Sequence, residues 1–305
     1  MTSTFRHYAT PAAFKRALED RLKAEARKTG ALVHRARQLL IFDRFLGRLD
    51  HELGQSILAK GGVALELRLE QARTTRDLDV RVSGRPEDLL ERLRAAGRRD
   101  LGDFLTFTLR EGSEGADRID GPGAVYLGVR YRAEARIAGD LYGTPFGLDA
   151  AFGDALTGSI ETIPGTNLLD FVGAPRSVIR LYPRETHVAE KLHAYTLPRP
   201  SENSRVKDLP DMALLGTSGR FDARILRSAL ERTFDFRKTH PLPSRVPAPP
   251  ASWTGAYARM AEENELRWPT LAEVHGAACS FLEPALEPVS GIWSPEDWAW
   301  LNEPR

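Results

Sequence analysis

The fold is decided by the stretch KGGVALELR, residues 60–68, together with RTTRDLDV, residues 73–80. The second segment predicts a strand, along which side chains alternate between two faces. Asp77 and Asp79 are therefore expected on one face, with apolar residues on the other. Two carboxylates on one face repel each other unless a cation lies between them, and such oxygen ligands suit Mg²⁺.

The glycine pair Gly61-Gly62 is predicted to open a short helix directly before this strand. Glycines at a helix start allow backbone N–H groups and the positive end of the helix dipole to approach a phosphate. A glycine pair and a carboxylate pair so close together are the parts needed to hold a metal-bound nucleoside triphosphate.

The composition is that of a globular protein with one large domain or two, since 305 residues are 42% hydrophobic and 28% charged. The single cysteine, Cys279, excludes an intrachain disulfide and a cysteine-based zinc site, and it fits a reducing cytosol. No signal-like segment and no apolar run of membrane-spanning length is evident. We therefore predict a cytoplasmic protein without a membrane partner.

The net charge of +1 hides an asymmetry along the chain. Residues 1–50 contain 11 Lys and Arg against 5 Asp and Glu, whereas residues 251–305 contain 3 against 9. A basic N-terminal region could follow a phosphate backbone. The alternative is a pair of solvated helix faces that differ in sign.

Local patterns predict an α+β fold in which a mixed sheet is flanked by helices and followed by a helical region. Thr10-Pro11 is typical of a helix start, and apolar spacing predicts a second helix through residues 39–53. Predicted strands are residues 56–60, 77–82, 105–109, 125–132, 146–152, 159–163 and 177–181. Predicted helices are one from near Pro86 to before Gly97, and residues 184–195, 207–215, 222–233, 252–264, 270–282 and 295–301. We predict a core domain over residues 1–182 and a helical domain over residues 183–305, interrupted by a proline-rich extended connector at residues 241–250.

A third carboxylate is expected on a strand next to the Asp77–Asp79 pair if that pair binds metal for nucleotidyl or phosphoryl transfer. It would ionise the incoming hydroxyl or help a metal to do so. The segment GLDAAFGD, residues 147–154, offers Asp149 within a strand context. Asp154 ranks second because it follows a glycine at the expected strand end.

Two later segments supply further candidates. Lys191 could neutralise triphosphate charge from a helix. Asp208 and Asp211 are three residues apart, so they share one helix face. Arg205 and Lys207 could add phosphate contacts.

Each of these features alone has an ordinary structural interpretation. Asp-x-Asp is common at solvated strand ends, a lone lysine is usually a surface residue, and Asp208 could cap its helix. The glycine pair could be a simple turn. The order and spacing of all the segments therefore carry the functional interpretation.

That order resembles the AbiEii/AbiGii nucleotidyltransferase toxins, within the polymerase-β-like nucleotidyltransferase superfamily. The shared motifs are KGGxAL, RxxRDLD, LDxxFGD, AEKLxA and RxKDxxD, and the resemblance extends from about residue 57 to residue 215. It implies a nucleotidyltransferase core with a mixed sheet, joined to a helical region. Family members are toxin halves of bacterial toxin–antitoxin or phage-defence pairs, and some add nucleotides to tRNA 3′ ends.

The resemblance implies that Gly61 and Gly62 cradle phosphate and that Asp77 and Asp79 ligate metal. It also implies that Lys191 contacts the triphosphate and that one of Asp208 and Asp211 is catalytic or close to the metal. Together with the strand context of Asp149, it leads to the following predictions. Predicted metal ligands are Asp77, Asp79 and Asp149, and predicted catalytic residues are these three with Lys191, Asp208 and Asp211. Predicted nucleotide- or phosphate-binding residues are Lys60, Gly61, Gly62, Arg76, Lys191 and Lys207. The superfamily often has Gly-Ser where this chain has Gly61-Gly62, so no hydroxyl contact to the phosphate is available there. Thr74 or Thr75 could supply one instead.

The implied activity is Mg²⁺-dependent transfer of a nucleoside monophosphate from an NTP to RNA, with a pair of Mg²⁺ ions. The tRNA 3′ end is the expected acceptor, and a cognate antitoxin is the expected protein partner of this type IV-like toxin. The alternatives are transfer to a protein or small-molecule hydroxyl, and a nucleotide-binding module without catalysis. A Walker A loop, a dinucleotide-binding glycine motif and a hydrolase Gly-x-Ser-x-Gly motif are all absent from the sequence.

Overall fold

The computed structural model describes residues 8–302, apart from residues 31, 70–71, 73, 85–86, 112–126, 154, 200–204 and 289. The chain begins with two helices, α1 (Pro11–Thr29) and α2 (Val33–Leu53). The predicted start of α1 is confirmed, since the Ala13 amide donates to the Thr10 hydroxyl at 3.2 Å and Pro11 occupies the first helical position.

An eight-stranded mixed sheet forms the centre of the first part of the chain. Its strands are β1 (Ile57–Lys60), β2 (Leu78–Val82), β3 (Leu105–Glu111), β4 (Leu127–Ile137), β5 (Asp140–Leu141), β6 (Phe146–Phe152), β7 (Glu161–Pro164) and β8 (Val178–Leu181). Helix α3 (Gly61–Arg68) joins β1 to β2, and α4 (Leu89–Arg98) precedes β3. The order across the sheet is β3-β4-β6-β2-β1-β8-β7, with β5 paired to β4. The pairs β2–β6 and β1–β8 are parallel, and the other pairs are antiparallel.

Helices α1, α2 and α4 cover one face of this sheet. Apolar residues from these helices, such as Phe14, Phe45 and Leu93, form one buried cluster with Leu78 of β2 and Leu148 of β6. Because strand side chains alternate, the neighbouring polar residues of β2 and β6 lie on the other face. That second face carries the candidate site.

A helical region follows β8. It contains α5 (Arg184–Thr196), α6 (Asp208–Thr217), α7 (Ala223–Arg237), α8 (Thr254–Glu263) and α9 (Leu271–Leu286), with a small sheet of β9 (Phe221–Asp222), β10 (Ile292–Ser294) and β11 (Ala299–Leu301). A second buried cluster lies among these elements, and it also takes in Leu65 of α3 and the nearby Ala72. The domain boundary after residue 182 stays a prediction.

The predicted helix at residues 295–301 is wrong. The chain forms the β10–β11 hairpin there, with Trp293 opposite Trp300, and packing of these rings on Phe281 of α9 outweighs the local helical pattern. The predicted end of α4 before Gly97 is also wrong. The helix continues through Gly97 to Arg98. It packs closely against β3 at Gly97, because a Cβ there would lie 2.5 Å from the Phe107 carbonyl oxygen.

Other strand boundaries differ from the predictions by a few residues. Strand β4 continues to Ile137, β7 begins at Glu161, and β2 begins at Leu78. The proline-rich segment at residues 241–250 contains no helix or strand, as predicted. No helix in the described part of the chain is both long and apolar enough to cross a membrane.

Two arginines of α2 are buried against a single carboxylate. Arg44 Nε lies 2.6 Å from Asp103 Oδ2, and Arg48 Nη2 lies 2.5 Å from Asp103 Oδ1. Burial alone would raise the pKa of Asp103, but its hydrogen bonds and ion pairs with Arg48 and Arg44 hold that pKa below its usual value. These arginines also donate to backbone carbonyls of Arg99, Leu105 and Pro175, so they order two loops.

We expect Asp103→Ala to lower the free energy of unfolding by about 3–5 kcal/mol, because it leaves two buried guanidinium groups without their counter-charge. Urea denaturation followed by circular dichroism measures this. Asp170→Ala is the matched control, since it removes an exposed carboxylate paired with Arg176 and should leave the midpoint unchanged. Equal midpoints for the two variants would contradict the structural role of Asp103.

Candidate functional site

Four charged residues form a row across four adjacent strands. Lys60 of β1 pairs in register with Asp79 of β2, Asp79 with Asp149 of β6, and Asp149 with Arg130 of β4. In-register residues on neighbouring strands point to the same face of a sheet. We call this arrangement, in the order Lys60, Asp79, Asp149 and Arg130, the charged row. Its two carboxylates lie side by side, with a cation at each end.

Gly61 lies directly against the carboxylate of Asp79. Its φ of +63° is in the left-handed region that glycine adopts readily. A Cβ at this position would lie 1.9 Å from Asp79 Oδ2, so a side chain would collide with the carboxylate. Helix α3 can therefore begin beside Asp79 only because residue 61 is glycine, whereas Gly62 lies buried inside the helix.

Asp77 lies just before β2 instead of within it, but it still faces β6. Its carboxylate accepts a hydrogen bond from the Gly147 amide at 3.2 Å, and a Cβ on Gly147 would lie 2.8 Å from Asp77 Oδ1. The Thr75 hydroxyl donates to the Asp77 carbonyl at 3.3 Å. The hydroxyl of Thr75 therefore stabilises the turn into β2. This hydrogen bond does not favour the predicted contact between Thr75 and a phosphate.

The ionised form of Asp79 is disfavoured by its burial and by the neighbouring charge of Asp149. Burial, and after it the charge of Asp149, raises the pKa of Asp79 to about 6, although Lys60 and Lys191 oppose the shift. The cations of the protein thus do not fully offset the burial and repulsion that disfavour ionised Asp79. A cation bound here would stabilise the ionised form.

Lys60 is held in place by groups from the helical region. Its Nζ lies 3.0 Å from Glu190 Oε2 of α5 and 5.0 Å from the ring centroid of Tyr182. Glu190 Oε1 accepts further hydrogen bonds from the Tyr182 hydroxyl at 2.9 Å and from Arg237 of α7 at 3.1 Å. Sequence reasoning assigned no role to Glu190 or Arg237; the position of Glu190 inside the AEKLxA motif was the available signal.

Lys191, the next residue of α5, contacts two carboxylates of α6. Its Nζ lies 3.0 Å from Asp208 Oδ1 and 2.7 Å from Asp211 Oδ2. Both aspartates are buried, which agrees with the predicted shared helix face. The charge of Lys191 also acts on Asp79, more weakly than that of Lys60.

The predicted site residues are therefore largely brought together. Those that meet through direct contacts, register or charge are Lys60, Gly61, Asp77, Asp79, Asp149, Lys191, Asp208 and Asp211. Arg76 and Lys207 are exposed, and each is adjacent in sequence to a member of this set. Asp154 lies outside the described residues. Arg130 was missed, because its place in the charged row depends on the order of the strands.

The protein groups at this site supply only part of the ligands that a divalent cation needs. Within the described ranges, no set of three His, Cys, Asp or Glu residues is spaced to hold a metal ion. Asp79 and Asp149 are nevertheless adjacent, and Mg²⁺ is usually bound by one or two carboxylates together with substrate phosphates. The donor set thus fits a metal that is shared with a nucleotide.

The burial of Asp79 and its repulsion by Asp149 predict a gain in stability when this carboxylate is neutralised. Its pKa is raised in the folded state, so the folded protein binds more protons between about pH 4 and pH 6, and stability falls as pH rises through that window. We expect Asp79→Asn to raise the free energy of unfolding at pH 7.5 by about 1–2 kcal/mol. Urea denaturation in EDTA buffer at pH 7.5 and pH 4.5 tests this. The gain should shrink at pH 4.5, and a loss of stability at both pH values would contradict it.

The chain is similar to known proteins both in sequence, through a family model, and in structure. A model of the family described as "Nucleotidyl transferase AbiEii toxin, Type IV TA system" matches residues 44–276. No curated protein sequence matches the chain significantly. Among solved structures, MenT4, a nucleotidyltransferase toxin from Mycobacterium tuberculosis H37Rv, aligns with a TM-score of 0.53 at 15% identity, over 91% of this chain and 92% of that one. JHP933 from Helicobacter pylori aligns over 67% of this chain and 82% of that one, with 16% identity and a TM-score of 0.40.

The likeness to MenT4 shows the fold, which confirms the predicted mixed sheet flanked by helices. The family match covers most of the chain, including every strand of the charged row. It confirms the resemblance drawn from the motifs and makes the protein a nucleotidyltransferase, for which an NTP substrate and an antitoxin partner are implied. The chain belongs to the AbiEii family of nucleotidyltransferase toxins of type IV toxin–antitoxin systems.

Proposed function

We propose that this toxin transfers a nucleoside monophosphate from an NTP to the 3′ end of tRNA and thereby blocks translation. The observation that carries the proposal is the charged row, in which Asp79 and Asp149 lie in register between two cations. Phosphoryl-group chemistry depends mainly on such positioning and charge stabilisation.

The proposed reaction is an in-line displacement. The oxygen of the RNA hydroxyl attacks the α-phosphorus of the NTP, and a new phosphorus–oxygen bond forms. The bond from the α-phosphorus to the oxygen that bridges it to the β-phosphate breaks, and pyrophosphate leaves with that electron pair. The proton of the hydroxyl passes to Asp149 and then to solvent.

Asp77, Asp79 and Asp149 are the residues that would hold Mg²⁺, as one ion or a pair. Bound there with the nucleotide, the metal would neutralise phosphate charge and lower the pKa of the attacking hydroxyl. The amides of Gly61 and Gly62 and the side chains of Lys60 and Lys191 would contact the phosphates and stabilise the leaving pyrophosphate. Asp208 and Asp211 hold Lys191 near the site.

An RNA acceptor is supported by the distribution of positive charge. Exposed basic residues occur in the segments that carry the site, namely Arg76, Arg205 and Lys207. The basic surplus at the N-terminus is less direct support, because Arg44 and Arg48 are buried and α1 packs on the other face of the sheet. Phosphate contacts from the site-side residues would position an RNA strand without reading its sequence.

The proposed setting is the cytoplasm, where tRNA is available, and a role in phage defence is part of the same proposal. Loss of functional tRNA would halt growth of the cell. The antitoxin implied by the family would prevent this effect under ordinary conditions.

A transfer assay tests the proposed reaction. Purified protein is incubated with Mg²⁺, total tRNA and each α-³²P-labelled NTP in turn, and the products are separated by gel electrophoresis. We expect label on tRNA from at least one NTP, and a loss of about 100-fold or more with Asp79→Asn, which removes a carboxylate from the reacting centre. Because that variant is expected to be the more stable protein, unfolding would not account for the loss.

Asp170→Ala serves as the control and should retain full transfer, since its carboxylate is exposed and paired with Arg176. Label on a protein band instead of RNA would move the acceptor to a polypeptide hydroxyl and overturn the tRNA assignment. Absence of label on any acceptor would contradict the proposed transfer to RNA.

A further inference from the structure

Arg130 occupies both carboxylate oxygens of Asp149. Its Nε lies 2.6 Å from Oδ1 and its Nη2 lies 2.5 Å from Oδ2, which is a bidentate ion pair. These are the oxygens that a metal shared with a nucleotide would need. Asp149 therefore already holds a cation, and that cation belongs to the protein.

The two cations of the charged row are held very differently. The side chain of Lys60 is 7% exposed and is tied to Glu190, whereas that of Arg130 is 49% exposed. The hydrogen bonds of Arg130 within the described residues go to Asp149. Lys60 is thus a fixed charge, whereas Arg130 can leave Asp149 without breaking another hydrogen bond among the described residues.

We propose that Arg130 is a substrate-binding residue that exchanges Asp149 for a phosphate of the NTP when a metal–nucleotide complex binds. This inference rests on the proposed function. A guanidinium fork fits phosphate and carboxylate equally well, so the exchange keeps both hydrogen bonds. A divalent cation on Asp149 would repel the guanidinium group, and the metal-bound phosphates are the anions that arrive with it.

The exchange links metal binding to nucleotide binding. Metal alone must displace Arg130 without offering it a new partner, so its affinity is lowered. Metal with nucleotide supplies that partner, so the complex binds more tightly than either component. Arg130 thereby selects the metal–nucleotide complex over the free ion.

Two binding measurements on the full chain test this exchange. Affinity for Mn²⁺ alone is measured by electron paramagnetic resonance, and affinity for each of the four α,β-methylene NTP analogues is measured calorimetrically with Mn²⁺ present. We expect Arg130→Gln to bind Mn²⁺ alone about 5-fold more tightly, because a half-exposed ion pair no longer competes. The same variant should bind the preferred analogue about 10-fold more weakly, because the phosphate loses its fork.

Arg132→Gln is the matched control. Arg132 lies two residues further along the same face of β4, is exposed, and forms no ion pair with a described carboxylate. Both affinities should equal those of the wild type. In an Asp149→Asn background, Arg130→Gln should give no gain in Mn²⁺ affinity, because the competing ion pair is already absent.

Opposite shifts of the two affinities in Arg130→Gln alone would support the exchange. Unchanged affinities, a change in only one of them, or weakening of both with a lower melting temperature would overturn it and leave Arg130 as a structural residue. If the wild type binds neither Mn²⁺ nor any analogue, the proposed metal–nucleotide site itself fails, which differs from a failure of the Arg130 exchange.

Discussion

Parallel pairing of β2 with β6 places Asp79 beside Asp149. The other charged residues of the site offset the repulsion between these two carboxylates. Like charges directly opposite each other destabilise a sheet. The protein balances them with Lys60 on β1 and Arg130 on β4, and with the more distant Lys191. Burial and the charge of Asp149 still keep the pKa of Asp79 raised. Perturbed pKa values of this kind cluster at functional sites.

Helix α5 connects this sheet to the helical region. Two consecutive residues of the helix act in different directions, since Glu190 holds Lys60 at the end of β1 and Lys191 contacts Asp208 and Asp211 of α6. Arg237 of α7 then supports Glu190. The fixed cation of the charged row is therefore positioned by side chains more than 100 residues away in sequence, and the helical region is part of the site's construction.

Local sequence patterns were sufficient for much of the site but not for all of it. The proximity of Asp79 and Asp149 was predictable from their strand contexts, whereas Asp77 was expected within the strand and lies just before it. The shared helix face of Asp208 and Asp211 was predictable from their spacing. Arg130 was not predictable, because only the strand order brings it to Asp149. The burial of Arg44 and Arg48 was hidden for a similar reason, since their partner Asp103 lies on a distant loop. At residues 295–301, contacts with α9 decided between helix and hairpin, and such contacts leave no local signature.

Helix α3 belongs to both buried clusters. Its Val63 and Ala64 pack into the cluster of the sheet, whereas Leu65 packs into that of the helical region. The eight-residue helix is too short to be stable by itself, so it persists only while both clusters are intact. Loss of either cluster would therefore unfold α3 and remove its side chains from the other cluster. The two cores thus share one structural element, which couples the stability of one to that of the other.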